Sequence, residues 1–207
     1  MILDRVPGPF RLSRSGVVDR VFSFRAGMFW SDHRLAGRAI ERPTLLDAFE
    51  SALHQLFVRE ARGYQFVTAG CVGWRGRAIV VPGLSRAQTS ALVHALVERG
   101  AAYYSDAFAV FDRRGRVHAF RAPHERRAPL PLGFVVQPSF DAGTERPPRR
   151  LTPAETVRAL VPHAARASAE PAMVTSVLAR SAAGAIGIET SRSDAAAAAW
   201  ILEQLDS

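Results

Sequence analysis

The sequence predicts an α/β protein in which a single mixed sheet is flanked by helices. Apolar runs with the character of strands alternate along the chain with stretches of helical periodicity, and this alternation is typical of α/β folds. With 207 residues, of which 48% are hydrophobic, the chain can bury one substantial core. We therefore predict a single domain over residues 1–207, with an N-terminal elaboration over 1–62 and a core over 63–207.

The N-terminal elaboration is predicted to contain short strands and one helix. Residues 10–30 hold strand-like pieces such as VVDRVFSF. The stretch TLLDAFESALHQLFVRE, from Thr44 to Glu60, is predicted to be a helix with Thr44 as its cap. Its apolar residues recur at helical spacing and predict a buried stripe, made of Leu45, Phe49, Leu53, Leu56 and Phe57.

The core is predicted to begin with a hairpin that leads into a strand, a loop and a helix. The apolar runs YQFVTAGCVGW and RAIVVPG are joined at Arg75 and Gly76, which is a hairpin signal. After the next loop a helix is predicted through about Glu98, and it ends at Gly100. The stretch AAYYSDAFAVF then returns as an extended segment before a turn at 113–115.

The C-terminal half is predicted to complete the sheet and its helical layers. PLGFVVQ has the pattern of a buried strand, and a short strand is expected at 185–189. The stretches 123–131 and 141–150 are rich in proline and arginine and predict loops. Three helices are predicted, near residues 153–161, 170–180 and 193–205.

The basic charge of the chain comes entirely from arginine. All 27 basic residues are arginine, and the formal net charge is +8. Codon bias in a GC-rich genome is the favoured explanation; the alternative is a surface for phosphate, carboxylate or nucleic acid, which arginine contacts with paired hydrogen bonds. Arginines cluster at 113–116, 126–127 and 146–150, but aromatic residues do not interleave with them as nucleic-acid stacking requires. The sequence therefore disfavours a nucleic-acid partner.

Cysteine content and hydropathy exclude several further classes of protein. Cys71 is the only cysteine, so the chain can form no internal disulfide and no cysteine-based zinc site. No stretch approaches the roughly 18 consecutive apolar residues of a membrane span, and MILDRVPGPF lacks the pattern of a signal peptide. We expect a cytoplasmic protein without a membrane partner.

The stretch VVPGLSRAQTSALVHAL, residues 80–96, has the outline of a phosphate-binding loop. Such loops follow the pattern G-x-x-x-x-G-K-S/T, in which glycines let the backbone approach the phosphates and the lysine neutralises them. Aligned on Gly83, the chain keeps Ser85 and Ser90 but has Gln88 in place of the second glycine and Thr89 in place of the lysine. Taken alone, this match also fits an ordinary strand-to-helix turn.

The surroundings of the loop strengthen the match. Residues 66–120 resemble the HPr kinase/phosphorylase family, in particular its short bacterial relatives, without a gap. Most of this match is the stretch TAGCVGWRGRAIVVPGLSRAQTSALVHALVERGAAYYSDAFAVFDRRGRVHAF, residues 68–120. The pieces GPFRLSRSG, RRLTPAETVRALV and IETSRSDAA look like the family's ends, though less specifically. The resemblance implies a P-loop fold of the HPr kinase and PEP-carboxykinase type, and self-association, since the family forms ring-shaped oligomers.

The resemblance also implies a set of site residues. Gly83, Ser85, Arg86 and Ser90 would contact the nucleotide phosphates, while Ser90 and Asp106 would hold magnesium. Asp106 would be the surviving catalytic group if the protein were active. ATP and magnesium are accordingly the cofactors that the resemblance implies, bound weakly or not at all.

The family's other functional positions are occupied by residues of different chemistry. The family histidine upstream of the loop falls on Thr68, its loop glycine on Gln88 and its lysine on Thr89, and the second of its paired acidic residues falls on Ala107. The chain contains no lysine that another segment or subunit could supply.

An arginine is the one cation that could replace the missing lysine. Arg86 in the loop, and Arg75 or Arg77 on the hairpin, are the candidates. A guanidinium is bulkier than an ammonium, and Gln88 would crowd the loop where only glycine allows close approach. Loss of a phosphate-neutralising cation costs several kcal/mol of transition-state stabilisation, or roughly 10³-fold in rate.

These losses favour a pseudokinase that acts as a binding, accessory or regulatory protein. Its partner would be a protein, a peptide or an anionic small molecule. Two alternatives stay open: an active ATP- or pyrophosphate-dependent serine kinase or phosphotransferase that uses arginine in place of lysine, and a cleft adapted to other chemistry on an anionic or peptide substrate. The histidines are interpreted as structural, because they lack metal-ligand spacing: His33, His54, His94, His118, His124 and His163.

Overall fold

A computed structural model describes residues 22–25, 28–31, 34–38, 42–120, 127–138, 147–191 and 197–206. Parts of several predicted features lie outside these residues: the strand-like pieces before residue 22, the loop residues 123–126 and 141–146, His33, His124, and the start of the last helix at 193–196. The described chain falls into two compact units, one within residues 11–62 and the other containing 63–207.

The N-terminal unit contains a small sheet and a helix. Strands β1 (Phe22–Arg25), β2 (Met28–Ser31) and β3 (Arg34–Arg38) pair antiparallel in that order, and α1 spans Arg42–Glu60. The prediction of a single sheet is therefore incomplete, because this three-stranded sheet is separate from the larger one.

Helix α1 differs from its prediction at the start and agrees with it further along. It begins at Arg42, so Thr44 lies inside the helix, and the prediction that Thr44 is its cap is wrong. Pro43 explains the earlier start, since proline has a helical φ angle and needs no N–H partner in a first turn. Phe49 and Leu53 are buried, as the predicted stripe requires.

The larger unit contains eight strands and four helices in its described residues. In chain order they are β4 (Tyr64–Trp74), β5 (Arg77–Pro82), α2 (Arg86–Glu98), β6 (Ala102–Ser105), β7 (Phe108–Asp112), β8 (Arg116–His118), β9 (Leu130–Pro138), β10 (Arg149–Leu151), α3 (Pro153–Leu160), α4 (Pro171–Ala182), β11 (Ile186–Thr190) and α5 (Ala197–Asp206). The predicted loops 123–131 and 141–150 are wrong at their last two residues, because strands begin at Leu130 and Arg149, where they pair with neighbouring strands. Among the described helices, none combines the length and the hydropathy that crossing a membrane requires.

The predicted hairpin is confirmed, and the predicted extended segment after α2 is divided. Arg75 and Gly76 have φ angles of 45° and 77°, the left-handed conformation that a two-residue hairpin turn requires, and they join β4 to β5. The extended segment is split into β6 and β7 because Ser105 Oγ accepts hydrogen bonds from the N–H groups of Ala107 and Phe108, each at 3.0 Å. This side chain stabilises a turn at Asp106.

The eight-stranded sheet is mixed, with the order β10-β11-β9-β5-β4-β7-β8. Strands β5, β9 and β11 are parallel to one another, and their neighbours are antiparallel. Strand β8 also pairs with β9, so β4, β5, β9, β8 and β7 form a closed ring of strands, while β6 pairs with β4 alone. The carboxyl ends of β5, β9 and β11 consequently lie at one edge of the sheet.

Helices cover both faces of this sheet. One core contains Val80, Val135 and Leu178 with the inward residues of the strand ring and of α3 and α4. The other contains Ile79 and Leu96 with residues of α2 and α5. Neighbouring residues of β5 thus face opposite cores, which is why its sequence is a continuous apolar run.

Gly70 of β4 sets the distance between the sheet and α2. A Cβ atom at this position would lie 2.9 Å from Val93 Cγ2 and 3.0 Å from Thr89 Cγ2. Both neighbours are buried and β-branched, so their side chains have little rotamer freedom to move away. The helix that follows the loop therefore lies close to β4 because residue 70 has no side chain.

We predict that Gly70→Ala destabilises the protein by about 1–3 kcal/mol, because the added methyl group overpacks this contact. Gly184→Ala is the matched control: a Cβ there has no neighbour within 4 Å, and the substitution should change the free energy of unfolding by no more than about 0.5 kcal/mol. Urea denaturation of both variants measures the difference. Equal stability of the two variants would contradict the close packing of α2 on β4.

Candidate functional site

The loop that resembles a phosphate-binding loop, residues 83–85, connects the carboxyl end of β5 to the start of α2. Gly83 has a φ angle of 83°, which glycine adopts without the steric cost that other residues incur. Ser85 has an extended conformation and is the N-cap of α2, which begins at Arg86. The strand, loop and helix predicted from residues 80–96 are therefore present.

The start of α2 is closed by a reciprocal cap between Ser85 and Gln88. Ser85 Oγ accepts a hydrogen bond from the Gln88 N–H at 3.4 Å, and Gln88 Oε1 accepts from the Ser85 N–H at 3.1 Å and from Ser85 Oγ at 2.7 Å. A phosphate at a helix start would be held by such N–H groups. Here the side-chain oxygen of Gln88 accepts from the Ser85 N–H and the Ser85 hydroxyl, and Ser85 Oγ accepts from the Gln88 N–H, at the position where the phosphate-loop pattern has glycine.

Thr89, in the position of the lysine, is directed into the core. Its side chain is only 6% exposed, and its methyl group lies against Gly70 of β4. The backbone N–H of Thr89 is bonded to the Ser85 carbonyl at 2.8 Å, as in a regular helix. The residue therefore contributes to packing beneath the loop and supplies no charge above it.

Ser90 and Asp106 lie together, as the sequence predicts. Ser90 Oγ donates to Asp106 Oδ2 at 2.8 Å, and the Tyr103 hydroxyl donates to Asp106 Oδ1 at 3.0 Å. Tyr103 and Tyr104 alternate across β6: Tyr104 is buried and donates to the Ala128 carbonyl at 2.7 Å, whereas Tyr103 is half-buried beside the loop helix. Each oxygen of the carboxylate thus receives a hydroxyl.

In the contacts of the described residues, neither Thr68 nor Ala107 forms a proton-transfer arrangement. Thr68 is exposed on β4, opposite Phe108 of β7. The Ala107 N–H donates to Ser105 Oγ, and its carbonyl accepts from the Ala69 N–H at 3.2 Å. Ala107 is therefore bonded through its backbone only, and its methyl group cannot act as an acid or a base.

His163 is the residue of this site that the sequence did not reveal. It lies in a 3₁₀ turn after α3, and a Cβ built on Gly83 would be 3.4 Å from its Nε2 and 3.8 Å from Gln137 Nε2. A bridge between Val67 and Ala164 brings this turn alongside β4, and the same antiparallel register would place His163 beside Thr68. Eighty residues separate His163 from Gly83, so no local motif could have indicated the contact.

His163 and Gln137 give the loop a neutral polar wall. Partial burial lowers the pKa of His163 below its ordinary value, which favours the uncharged imidazole at neutral pH. Gln137 Nε2 donates to the Pro138 carbonyl at 3.1 Å, while its Oε1 is buried and without a hydrogen-bond partner in the described part of the chain. These groups add no positive charge to the loop.

Two of the three candidate replacement arginines are far from the loop. Arg75 and Arg77 lie at the amino end of β5, roughly 20 Å from the loop given the length of that strand. The Arg75 guanidinium lies 5.7 Å from the centre of the Trp74 ring, and the stem of Arg77 lies over Gly133. The hypothesis that either arginine faces the phosphates is therefore wrong, and Arg86, exposed at the helix start, is the remaining candidate.

His118 has a structural role, as expected from the sequence. Its Nε2 lies 3.0 Å from Asp112 Oδ2, and Asp112 Oδ1 accepts from the N–H groups of Arg114 and Arg116 in the turn between β7 and β8. Partial burial alone would raise the pKa of Asp112, but the hydrogen bonds from His118, Arg116 and Arg114 outweigh burial, so the pKa is lowered. The pair stabilises this turn.

The described residues fit magnesium better than they fit the phosphates. Ser90 and Asp106 supply the hydroxyl and carboxylate oxygens that Mg²⁺ prefers, yet within the described ranges no group of three or more histidine, cysteine, aspartate or glutamate residues could hold a metal. Mg²⁺ at such a pair depends on phosphate oxygens to complete its coordination. The capped helix start and the buried Thr89 do not fit those phosphates.

Comparisons with protein-family models, with curated proteins and with solved structures found no match to this chain.

Two helices in the described part of the larger unit begin with a reciprocal cap, and they allow a matched test of the one at the loop. Ser85→Ala should lower the free energy of unfolding by about 0.5–2 kcal/mol, because it removes the acceptor for the Gln88 N–H and a donor to Gln88 Oε1. Thr152→Ala removes the equivalent cap of α3, in which Thr152 and Glu155 bond reciprocally, and should cost a similar amount. Ala91→Ser, exposed on the same helix as Ser85, should change stability by no more than about 0.5 kcal/mol. If Ser85→Ala behaves like Ala91→Ser in urea denaturation, the loop cap is not formed in solution.

Proposed function

We propose that this chain is an HPr-kinase-like pseudokinase, a cytoplasmic binding or accessory protein with a degenerate nucleotide site. The resemblance over residues 66–120 supports the proposed family, and the loop geometry supports the proposed loss of activity. The single observation that carries the proposal is the reciprocal cap, in which Gln88 Oε1 accepts from the N–H and Oγ of Ser85. An internal side chain thus satisfies groups that a nucleotide phosphate would need.

The burial of Thr89 supports the same conclusion independently. Phosphoryl transfer depends on positive charge placed beside the transferred group before the reaction begins. Thr89 has no charge and faces Gly70, while Arg75 and Arg77 are at the opposite end of β5. Of the candidate cations only Arg86 is left at the loop, and without a cation in the position of the lysine the barrier for transfer rises by several kcal/mol.

A second function is favoured by one specific contact. The Ser90–Asp106 hydrogen bond of 2.8 Å retains the pair that would hold magnesium, so an active ATP- or pyrophosphate-dependent phosphotransferase with Arg86 as its cation is the alternative. This alternative requires the Gln88 side chain to leave the cap when nucleotide binds. The exposure of Gln88 makes this movement sterically simple, but binding would have to offset the lost cap bonds.

We predict that the wild-type protein binds ATP or pyrophosphate with magnesium weakly or not at all and transfers no phosphate to a serine peptide or to water. The double variant Gln88→Gly, Thr89→Lys should bind nucleotide at least about tenfold more tightly, because it frees the helix start and adds the missing charge on a stem long enough to extend from the buried position to the loop. It should remain inactive in transfer, since Thr68 and Ala107 are unchanged. Calorimetric titration and radiolabelled transfer assays measure the two properties.

The matched control for this test is the variant Gln88→Gly, Thr89→Val, which opens the cap without adding charge and keeps the buried volume of Thr89. Its nucleotide affinity should stay below that of the lysine variant. Tight magnesium-dependent binding of ATP by the wild type, lost on Asp106→Ala and accompanied by phosphate transfer, would overturn the pseudokinase proposal in favour of the phosphotransferase.

A further inference from the structure

A second concave surface lies at the same edge of the sheet as the loop, beyond the carboxyl end of β11. It is a pocket of about 540 Å³, and the described residues that line it come from the start of β10 and the end of β11. Because β5, β9 and β11 are parallel neighbours, the pocket is two strands away from the loop, or roughly 10 Å. Small molecules bind α/β sheets at this edge, in pockets of about 300–1,000 Å³.

One wall of the pocket is fixed by a network of charged groups. Arg149 donates from Nε and Nη2 to Glu189 Oε2, at 3.0 and 2.9 Å, and from Nη1 to Glu155 Oε1 at 2.9 Å. Hydrogen bonds from Thr152 and from Arg149 lower the pKa of Glu155 to about 2. This network links β10, β11 and the start of α3 and positions one wall of the pocket.

Arg150, the next residue of β10, is in a different electrostatic situation. It lines the pocket and is exposed, and in the part of the chain that the structure describes it has no carboxylate partner. Its neighbour Arg149, by contrast, is held by two glutamates, whose hydrogen bonds raise its pKa. Arg150 is therefore the cation of this pocket that is available to a ligand.

The other lining groups restrict the ligand further. Ser191 follows β11 and carries a hydroxyl group, Thr190 beside it is buried, and Pro147 and Pro148 are apolar. Glu189 also lines the pocket and is paired with Arg149, so the charged lining residues sum to one net positive charge, which suits a ligand with one negative charge better than a ligand with two. A single guanidinium matches one carboxylate, with which it forms two parallel hydrogen bonds.

We propose that this pocket binds a small monocarboxylic acid with an apolar body. The carboxylate pairs with the Arg150 guanidinium, and the apolar body lies against Pro147 and Pro148. The site is separate from the loop at Gly83 and does not depend on nucleotide binding there. Its presence or absence can therefore be measured independently of the pseudokinase proposal.

The test uses benzoate as the probe and the backbone amide signals of Thr190 and Ser191 in ¹H–¹⁵N spectra as the readout. Benzoate should shift these signals saturably at millimolar concentration. Arg150→Gln should weaken the binding by at least about tenfold, while Arg158→Gln, an exposed arginine of α3 that does not line the pocket, should leave it within about twofold. The spectra of the two variants, compared without benzoate, show that each is folded.

Two further probes separate charge from shape. Benzamide has the same ring but no charge and should give no saturable shift, and phenyl phosphate, with nearly two negative charges, should bind more weakly than benzoate. The proposal is overturned if benzoate gives no saturable shift, if Arg150→Gln and Arg158→Gln have the same effect, or if benzamide or phenyl phosphate binds as tightly as benzoate.

Discussion

The parallel pairing of β5 with β9 is the interaction on which the rest of the larger unit depends. It aligns the ends of β5 and β9, and through β9 the end of β11, so that the chain leaves all three strands at one edge. The same β9 pairs with β8 near its start and closes the ring of five strands. The loop at Gly83, the amide of Gln137 and the pocket beside Thr190 occupy one edge because these strands share a direction.

Gln88 and Thr89 occupy neighbouring positions of the loop helix, and each has a structural role. In a phosphate-binding loop the glycine and the lysine act on the same ligand, one by giving space and the other by giving charge. In this chain each residue has a structural partner instead: Gln88 bonds to Ser85, and Thr89 packs on Gly70. A substitution at one of these positions leaves the structural contact of the other in place, so a test of phosphate binding requires both substitutions. The cap of the loop helix is complete within the chain itself.

Most secondary-structure elements could be predicted from local sequence patterns. The exceptions are elements that form only through contacts with distant parts of the chain. The turn at Arg75 and Gly76 and the end of α2 near Gly100 follow from backbone preferences of a few residues, and both were predictable. The three-residue strand β10 was not, because two arginines in a proline-rich stretch resemble a loop until Glu189 is placed opposite Arg149.

In the candidate site, too, some contacts could be predicted from local sequence and others could not. The contact of Ser90 with Asp106 was predictable, since a strand–helix–strand unit brings the loop helix and the next strand end together. The approach of His163 to Gly83 depends on a turn that crosses beside β4 after α3, and no spacing in the sequence encodes it. The position of Arg75 and Arg77 far from the loop is a consequence of strand length, because a strand of six residues separates its two ends.

The most direct measurement of the central claim is amide hydrogen exchange at the start of α2, with and without magnesium and ATP. If the Gln88 side chain and the Ser85 hydroxyl occupy the helix donors, the amide hydrogens of Ser85 and Gln88 exchange slowly in the free protein and are unchanged by nucleotide. Fast exchange of both amides in the free protein, followed by strong protection when magnesium and ATP are added, would contradict the account and identify the loop as a working nucleotide site.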